Sequence, residues 1–201
     1  YAAGGGTGAG PGDWAGGSYG GKGSGTSGGT TTGPTYGSIT NPVDCGSGGW
    51  SGNDGGSGGG SVVLRATGSI TNNGTINVNG VGGLRNPGSG GTINLTADSI
   101  SGTGTFTANG GNGTVGNGGG GRIAMRITGS GQTFPACSAY GNPKGSYTES
   151  AAGTIYLQTA AQPYGDLIVD NNNYAKTMTY TTYIGSQVAN TTVGNVIIRN
   201  K

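Results

Sequence analysis

Histidine is absent from this 201-residue sequence, and Asp and Glu together number only seven. The single glutamate is Glu149, and the six aspartates are spread along the chain. Histidine is the usual general base and metal ligand near neutral pH, and carboxylate catalysis needs acidic groups that lie close together. The sequence therefore predicts a protein that is not an enzyme and that uses no cofactor.

Long hydrophobic runs are missing as well, because the longest aliphatic stretches are triplets at 62–64, 167–169 and 196–198. Such runs are far too short to span a bilayer. Glycine, threonine, asparagine and serine are poor residues for a helix interior, and no window shows a 3.6-residue periodicity. Proline is sparse and the glycines follow no Gly-X-Y period, which excludes collagen. Two structural classes remain, which are a disordered chain and an all-β structure dense in turns.

Basic residues number only nine, are scattered singly and leave a net charge of +2. No basic patch therefore predicts binding to nucleic acid or to an anionic membrane. The only cysteines are Cys45 and Cys137, and no CxxC pair or Cys/His cluster could hold a metal. This cysteine usage fits an extracellular or cell-surface protein with a disulfide better than it fits a redox role.

Glycine is the dominant residue, with 51 copies, and part of it recurs at a fixed spacing. Between residues 59 and 159, a Gly-Gly or Ala-Gly pair precedes an alternating apolar strand four times. The first apolar positions of these strands lie 31, 30 and 32 residues apart, at Val62, Ile93, Ile123 and Ile155. A repeat of this length indicates a solenoid.

Two further short strands repeat in the same phase. GSITN at 37–41 recurs at 68–72 and as DSIS at 98–101, and TINVNG at 75–80 recurs as TFTANG at 105–110. Three strands with one apolar face, separated by glycine or asparagine corners, are typical of one coil of a parallel β-helix. At roughly 4.8 Å per coil, about five coils would form a column on the order of 24 Å long.

The repeat divides the chain into a glycine-rich N-terminal arm at 1–36 and an all-β parallel β-helix at 37–201. The arm has almost no aliphatic side chains, so its order would require packing against its own column or against a neighbouring subunit. Residues 131–150 break the period, and we expect a long excursion out of one coil there. Residues 194–201 begin a coil that is not completed.

Glycine-rich and apolar motifs run in a fixed order through nearly the whole chain. They are YGGKG at 19–23, YGS at 36–38, GSGG at 46–49, the repeated GGxIxLxA strands, TFTANGG at 105–111, GGGGRIA at 118–124, GTIYL at 153–157 and LIVDN at 167–171. This order resembles the glycine-rich β-helical domain of very large secreted bacterial surface proteins. The resemblance implies a right-handed parallel β-helix exposed outside the cell, with no catalytic residues to carry over.

Two residue pairs are candidate sites. Cys45 and Cys137 are 92 positions, or about three coils, apart, so stacking alone would separate them by roughly 14 Å, beyond the reach of a disulfide. The excursion at 131–150 could close this gap, and we expect an intrachain disulfide, with an intersubunit bond or free thiols as alternatives.

Asp166 and Asp170 point to the same side of one strand and are candidate calcium ligands, with solvated carboxylates as the alternative.

A β-helix exposes unpaired strand edges at its two ends, and natural proteins cover them. No capping helix is predicted here, and Val196, Ile197 and Ile198 form an apolar terminal strand. We therefore expect a non-enzymatic structural subunit of an extracellular filament or surface layer, which assembles head-to-tail with copies of itself. One alternative is a carbohydrate-binding or adhesive surface module that uses outward-facing Tyr, Trp and Arg residues, such as Arg122 and Arg126, which could grip an acidic sugar or serve only surface solubility. The other is a degenerate polysaccharide-processing enzyme.

Overall fold

A computed structural model of the chain describes residues 1–26, 31–52, 54–83, 85–130, 133–142, 149–174 and 181–200. These residues form an all-β parallel β-solenoid of about four turns, and no helix occurs among them. The strands are β1 Gly37–Ser38, β2 Ser61–Arg65, β3 Ser69–Thr71, β4 Thr75–Asn77, β5 Thr92–Ala97, β6 Ser99–Ser101, β7 Thr105–Thr107, β8 Arg122–Ile127, β9 Cys137–Ser138, β10 Thr154–Gln158, β11 Asp166–Asp170, β12 Val188–Ala189 and β13 Val196–Arg199.

Three sheets form the walls of the solenoid. One has six strands in the order β13-β11-β10-β8-β5-β2, the second pairs β3 with β6, and the third has the order β4-β7-β9. Val62 pairs in parallel with Ile93, Ile93 with Ile123, and Ile123 with Ile155, so the bridges follow the spacing seen in the sequence. The predicted parallel β-solenoid is therefore confirmed.

The interior is a narrow apolar stack to which all three walls contribute. Every second residue of a strand enters it, because successive side chains point to opposite faces of a sheet. Ile93, Ile100 and Phe106, one from each wall, are almost completely buried in the same coil. Ile123 and Met125 continue the stack in the next coil.

Part of the outer face of the six-stranded sheet is also covered, although strand alternation alone would leave it polar and exposed. Backbone carbonyls of the segment before β2 accept hydrogen bonds from this face, from Thr92 to Asp44 at 2.7 Å and from Asn94 to Pro42 at 2.9 Å. A second apolar cluster lies on the same face and consists of Ile39, Ala124, Tyr156, Leu167 and Val188.

The chain reverses direction after β10, so the coil number is about four rather than the predicted five. Strand β11 pairs antiparallel with β10, and β13 pairs in parallel with β11. The reversal is a tight turn in which the backbone N–H of Gln162 donates to Thr159 at 3.1 Å, and the Gln162 side chain accepts from Thr159 N–H at 3.0 Å. Strands β11 and β13 thus extend the sheet without completing a solenoid coil.

The N-terminal glycine segment packs within the chain itself. Gly21 donates its N–H to Gly120 at 2.9 Å, and Gly119 donates to Gly17 at 2.9 Å, which joins the N-terminal segment to the corner glycines of the solenoid. An ideal Cβ on Gly16 would lie 2.0 Å from the carbonyl oxygen of Asn117, so only glycine permits this approach. Of the two expected explanations for order in this segment, the structure shows packing within the same chain.

Within the long excursion predicted at 131–150, residues 137 and 138 form a short solenoid strand, and the excursion as a whole stays a prediction. Strand β9 lies within this range and pairs with β7, with Cys137 opposite Phe106 and Ser138 opposite Thr107. Residues 131–132 and 143–148 lie outside the described part of the chain. A two-residue strand with no glycine pair before it leaves little periodic signal in the sequence.

Candidate functional site

The predicted assembly strand, β13, lies at one edge of the six-stranded sheet. Val196, Ile197 and Ile198 are 58%, 39% and 72% exposed. The carbonyl oxygens of Asn195 and Arg199 accept hydrogen bonds from backbone N–H groups of the β11 segment at 2.9 and 3.4 Å. Since backbone groups alternate in direction along a strand, Val196 and Ile198 direct their N–H and C=O groups toward the free edge.

The opposite edge of the same sheet is β2. Its flanking residues pair with β5, because Thr92 donates to Gly60 at 3.0 Å and Ala66 donates to Thr96 at 2.9 Å. The same alternation directs the backbone groups of Val63, in the middle of β2, toward the free edge. Among the described residues, β5 is the only strand that pairs with β2.

The solenoid coil formed by β2, β3 and β4 is incompletely covered. Its three interior side chains are half-buried, whereas their partners one coil further on are at most 2% exposed. The pairs are Val62 with Ile93, Ile70 with Ile100, and Ile76 with Phe106. The whole coil, and not only one strand, therefore presents an open end among the described residues.

One apolar ladder crosses the six-stranded sheet from edge to edge. Its register runs through Val62, Ile93, Ile123, Ile155, Ile168 and Ile197. The four central members are at most 8% exposed, whereas Val62 is half-buried and Ile197 is exposed. At each edge the ladder ends on a branched apolar side chain that solvent can reach.

Asp166 and Asp170 lie at the two ends of β11 and bind the β13 segment. Asp166 accepts from the side-chain and backbone N–H groups of Asn195 at 2.7 and 3.3 Å. Asp170 forms an ion pair with Arg199 at 2.8 Å and accepts from Asn200 at 3.0 Å and from a backbone N–H at 2.8 Å. Burial raises the pKa of Asp170, but these hydrogen bonds and the Arg199 charge outweigh it and lower the pKa below its usual value.

The arrangement of these two carboxylates explains how they hold the terminal strand, and the calcium site stays a prediction. In the part of the chain that the structure describes, no group of three or more acidic or cysteine side chains could hold a metal ion. Within the same part, no helix is long and apolar enough to cross a membrane.

The two cysteines lie in different layers, and both thiols are free. Cys137, in β9, packs against the interior stack, and burial raises the pKa of its thiol to about 12. Cys45 belongs to the segment that covers the outer face of the six-stranded sheet, where its carbonyl accepts a hydrogen bond from the Tyr36 hydroxyl at 2.6 Å. The predicted intrachain disulfide is therefore not formed in the structure.

Arg122 is buried, so the prediction that it faces outward to solvent is wrong. It does lie on the outer face of β8, but the N-terminal segments cover it completely. Its guanidinium donates to the carbonyls of Tyr36 and Tyr19 at 2.9 and 3.5 Å and to the Thr154 hydroxyl at 2.9 Å. Burial lowers the pKa of Arg122 to about 10 and raises that of Tyr19 to about 12. The strand pattern could not reveal this cluster, because it carries no information on the second layer.

Arg126, four residues further along β8, does line an open surface. Two adjoining grooves share Arg126 and Gln158 and have volumes of about 310 and 280 Å³. Arg126 Nε donates to Gln158 Oε1 at 3.0 Å, and its Nη2 donates to the carbonyl of Thr40. The guanidinium carbon lies 5.2 Å from the centre of the Tyr156 ring. The larger groove is also lined by Thr40, Tyr156, Pro163, Tyr164, Asn190 and Thr192.

No protein-family model, curated protein or solved structure matches the chain. The fold itself defines the class of protein, a β-solenoid without helices in its described part. The closer resemblance to bacterial surface proteins rests on the order of motifs in the sequence alone.

Proposed function

We propose that the protein is a non-enzymatic structural subunit of an extracellular filament or surface layer, and that it assembles head-to-tail with copies of itself. The observation that carries this proposal is the apolar ladder, which is buried in the middle of the six-stranded sheet and reaches solvent at both edges, where Val62 is half-buried and Ile197 is exposed. The extracellular location rests on the resemblance to secreted bacterial surface proteins.

Pairing of β13 with β2 of a second copy continues the sheet. The two strands run in opposite directions within one molecule, because the chain reverses between β10 and β11. Copies related by translation along the sheet would therefore pair antiparallel. In such a pair Arg65 and Arg199, the last residues of their strands, lie at opposite ends, so these like charges do not face each other.

This contact is heterologous, since one edge meets a different edge of the next copy. A heterologous contact leaves one free edge of each kind at the ends of the assembly, so addition can continue. It also buries Val196, Ile197 and Ile198, which are costly to leave in contact with water. A filament is the expected product.

Proline at an edge position tests the proposal, because it removes an N–H that faces the free edge and spares the bonds to the neighbouring strand. We expect the wild-type chain to form filaments in negative-stain electron microscopy. Val63→Pro and Ile198→Pro should each abolish filaments, whereas the matched controls Val63→Thr and Ile198→Thr, which keep the N–H, should assemble. Circular dichroism spectroscopy checks that each variant is folded.

A mixture of the two proline variants distinguishes pairing of β13 with β2 from pairing of like edges. Each variant keeps one intact edge of a different kind, so a 1:1 mixture should form dimers and nothing larger by analytical ultracentrifugation. Self-dimers of Val63→Pro alone would mean that β13 pairs with β13 and would contradict head-to-tail assembly. A wild-type chain that stays monomeric at every concentration would refute the proposal as a whole.

A further inference from the structure

We propose that the groove around Arg126 binds a carboxylate-bearing saccharide, such as a uronic acid unit of an acidic polysaccharide. This site is on the outer face of the sheet and does not involve the edge strands, so it is independent of the filament proposal.

Arg126 is a cation held in a fixed position. Its Nε and Nη2 are bonded to Gln158 and to Thr40, and its plane lies over the Tyr156 ring. Gln158 is in turn fixed, because it accepts from the Tyr156 hydroxyl at 3.0 Å and donates to the carbonyl of Gln162 at 3.1 Å. A group fixed in this way loses little side-chain entropy when it binds a ligand.

Arg126 also has no carboxylate partner in the described part of the chain. The ion pairs found there join Arg85 to Asp13 and Arg199 to Asp170. A guanidinium has five N–H donors, and its planar fork matches the geometry of a carboxylate. The groove therefore presents a preorganised cation that an anionic ligand can neutralise.

The rest of the lining favours a sugar. Asn190 and Thr192 supply amide and hydroxyl groups that suit the hydroxyls of a pyranose ring, and Tyr164, 53% exposed, offers an aromatic face to its apolar side. The groove volume of about 310 Å³ lies at the lower end of the range for small-molecule sites, roughly 300 to 1,000 Å³.

The charge of the lining selects the kind of anion. Arg126 is the only basic residue that lines the two grooves in the described structure. One positive charge matches one carboxylate on each sugar unit, whereas nucleic acids and polyphosphates require several cations along the groove. An acidic peptide carries the same carboxylate but lacks the ring of hydroxyls, which makes it the competing ligand to test.

Isothermal titration calorimetry of the full chain with tetragalacturonic acid tests the site, with its fully methyl-esterified form as the matched neutral ligand. We expect saturable binding of the acid that weakens with added salt, and at least about 10-fold weaker binding of the ester, because a charge-assisted hydrogen bond is lost. Arg126→Gln should weaken binding of the acid by about 10-fold to 100-fold. Tyr164→Ala, which removes a ring from a residue that is 53% exposed, should weaken it by a smaller factor.

Arg65→Gln is the control for net charge, since Arg65 is exposed and lies on β2, outside the groove. We expect it to bind like the wild type. Equal affinity for the acid and the ester, unchanged affinity in both Arg126→Gln and Tyr164→Ala, or no binding at about 1 mM ligand would overturn the proposal. Binding of tetra-aspartate as tight as that of the saccharide would replace it with a site for acidic peptides.

Discussion

At the scale of single residues, Arg122 shows how the two layers of the molecule are joined. Its side chain is completely buried, and it reaches from β8 to the carbonyls of Tyr19 and Tyr36 in the N-terminal segments. Burial of a charge is costly unless hydrogen bonds satisfy it. The Thr154 hydroxyl and the Tyr19 ring, 5.3 Å from the guanidinium, complete its surroundings. Arg122 therefore couples the order of the N-terminal segments to that of the sheet.

We expect Arg122→Ala to lower the free energy of unfolding by about 3 kcal/mol or more, because it leaves buried carbonyls unpaired and creates a cavity. Arg65→Ala, which removes an exposed side chain bonded only to Asn41 in the described contacts, should change it by less than about 0.5 kcal/mol. Urea unfolding followed by circular dichroism measures both. Similar stability of the two variants would show that Arg122 does not join the layers.

At the scale of elements, the most informative strands are β11 and β13. Strand β13 has one neighbour and an exposed apolar face, so few contacts hold it. Polar contacts at both ends of β11 compensate in part for the missing second neighbour of β13. They join Asp166 to Asn195 and Asp170 to Arg199. The attachment of the proposed assembly strand therefore depends on the charge of Asp170.

The attachment of β13 should weaken in acid. The pKa of Asp170 is lower in the folded chain, so its contribution to stability is present above its unfolded pKa of about 3.9 and is lost as the pH falls through the lower folded value. Because the Asp170 side chain is 20% exposed and its partner Arg199 is 55% exposed, solvent screens the pair, and we expect an effect below about 1 kcal/mol. Hydrogen exchange of the β13 amides between pH 6 and pH 2, corrected for intrinsic rates, should show faster opening in acid. In the Asp170→Asn variant, the β13 amides should open more readily at pH 6, and their exchange should depend less on pH than in the wild type. The same dependence on pH in both proteins would exclude Asp170 as the cause.

At the scale of the whole molecule, glycine allows separate backbone segments to pack against one another. The N-terminal segment, the segment around Gly48 and the corners of successive coils exchange backbone hydrogen bonds without side chains between them. An ideal Cβ on Gly16 or Gly20 would lie 2.0 or 2.1 Å from a carbonyl oxygen of a solenoid corner. Close packing of this kind replaces the large apolar side chains that the N-terminal segment lacks.

Two glycine substitutions distinguish the effect of close packing on stability from the effect of backbone freedom. Gly16→Ala should destabilise the protein by about 3 kcal/mol or more, since the added methyl group meets backbone that cannot move aside. At Gly68, where nothing lies within 4 Å of the added Cβ, alanine should be neutral or should stabilise by up to about 1 kcal/mol. Thermal unfolding of the two variants makes the comparison. A Gly16→Ala variant as stable as the wild type would mean that the N-terminal segment is not packed as described.

The sequence by itself determined the solenoid, because strand alternation and a period of about 30 residues are local patterns. The spacing of Val62, Ile93, Ile123 and Ile155 predicted their register, and the 29-residue spacing between the β11 and β13 segments corresponds to the pairing of Leu167 with Val196. The exposed apolar character of the terminal strand was also visible in its residues.

Only the tertiary structure decided what covers each surface and which way the chain runs. It placed Arg122 under a second layer, left Cys45 and Cys137 as free thiols, packed the glycine segment within its own chain and reversed the direction at β11. Each of these depends on contacts between residues far apart in the chain. Glycine adds to the difficulty, because without a side chain it carries no pattern that indicates its neighbour.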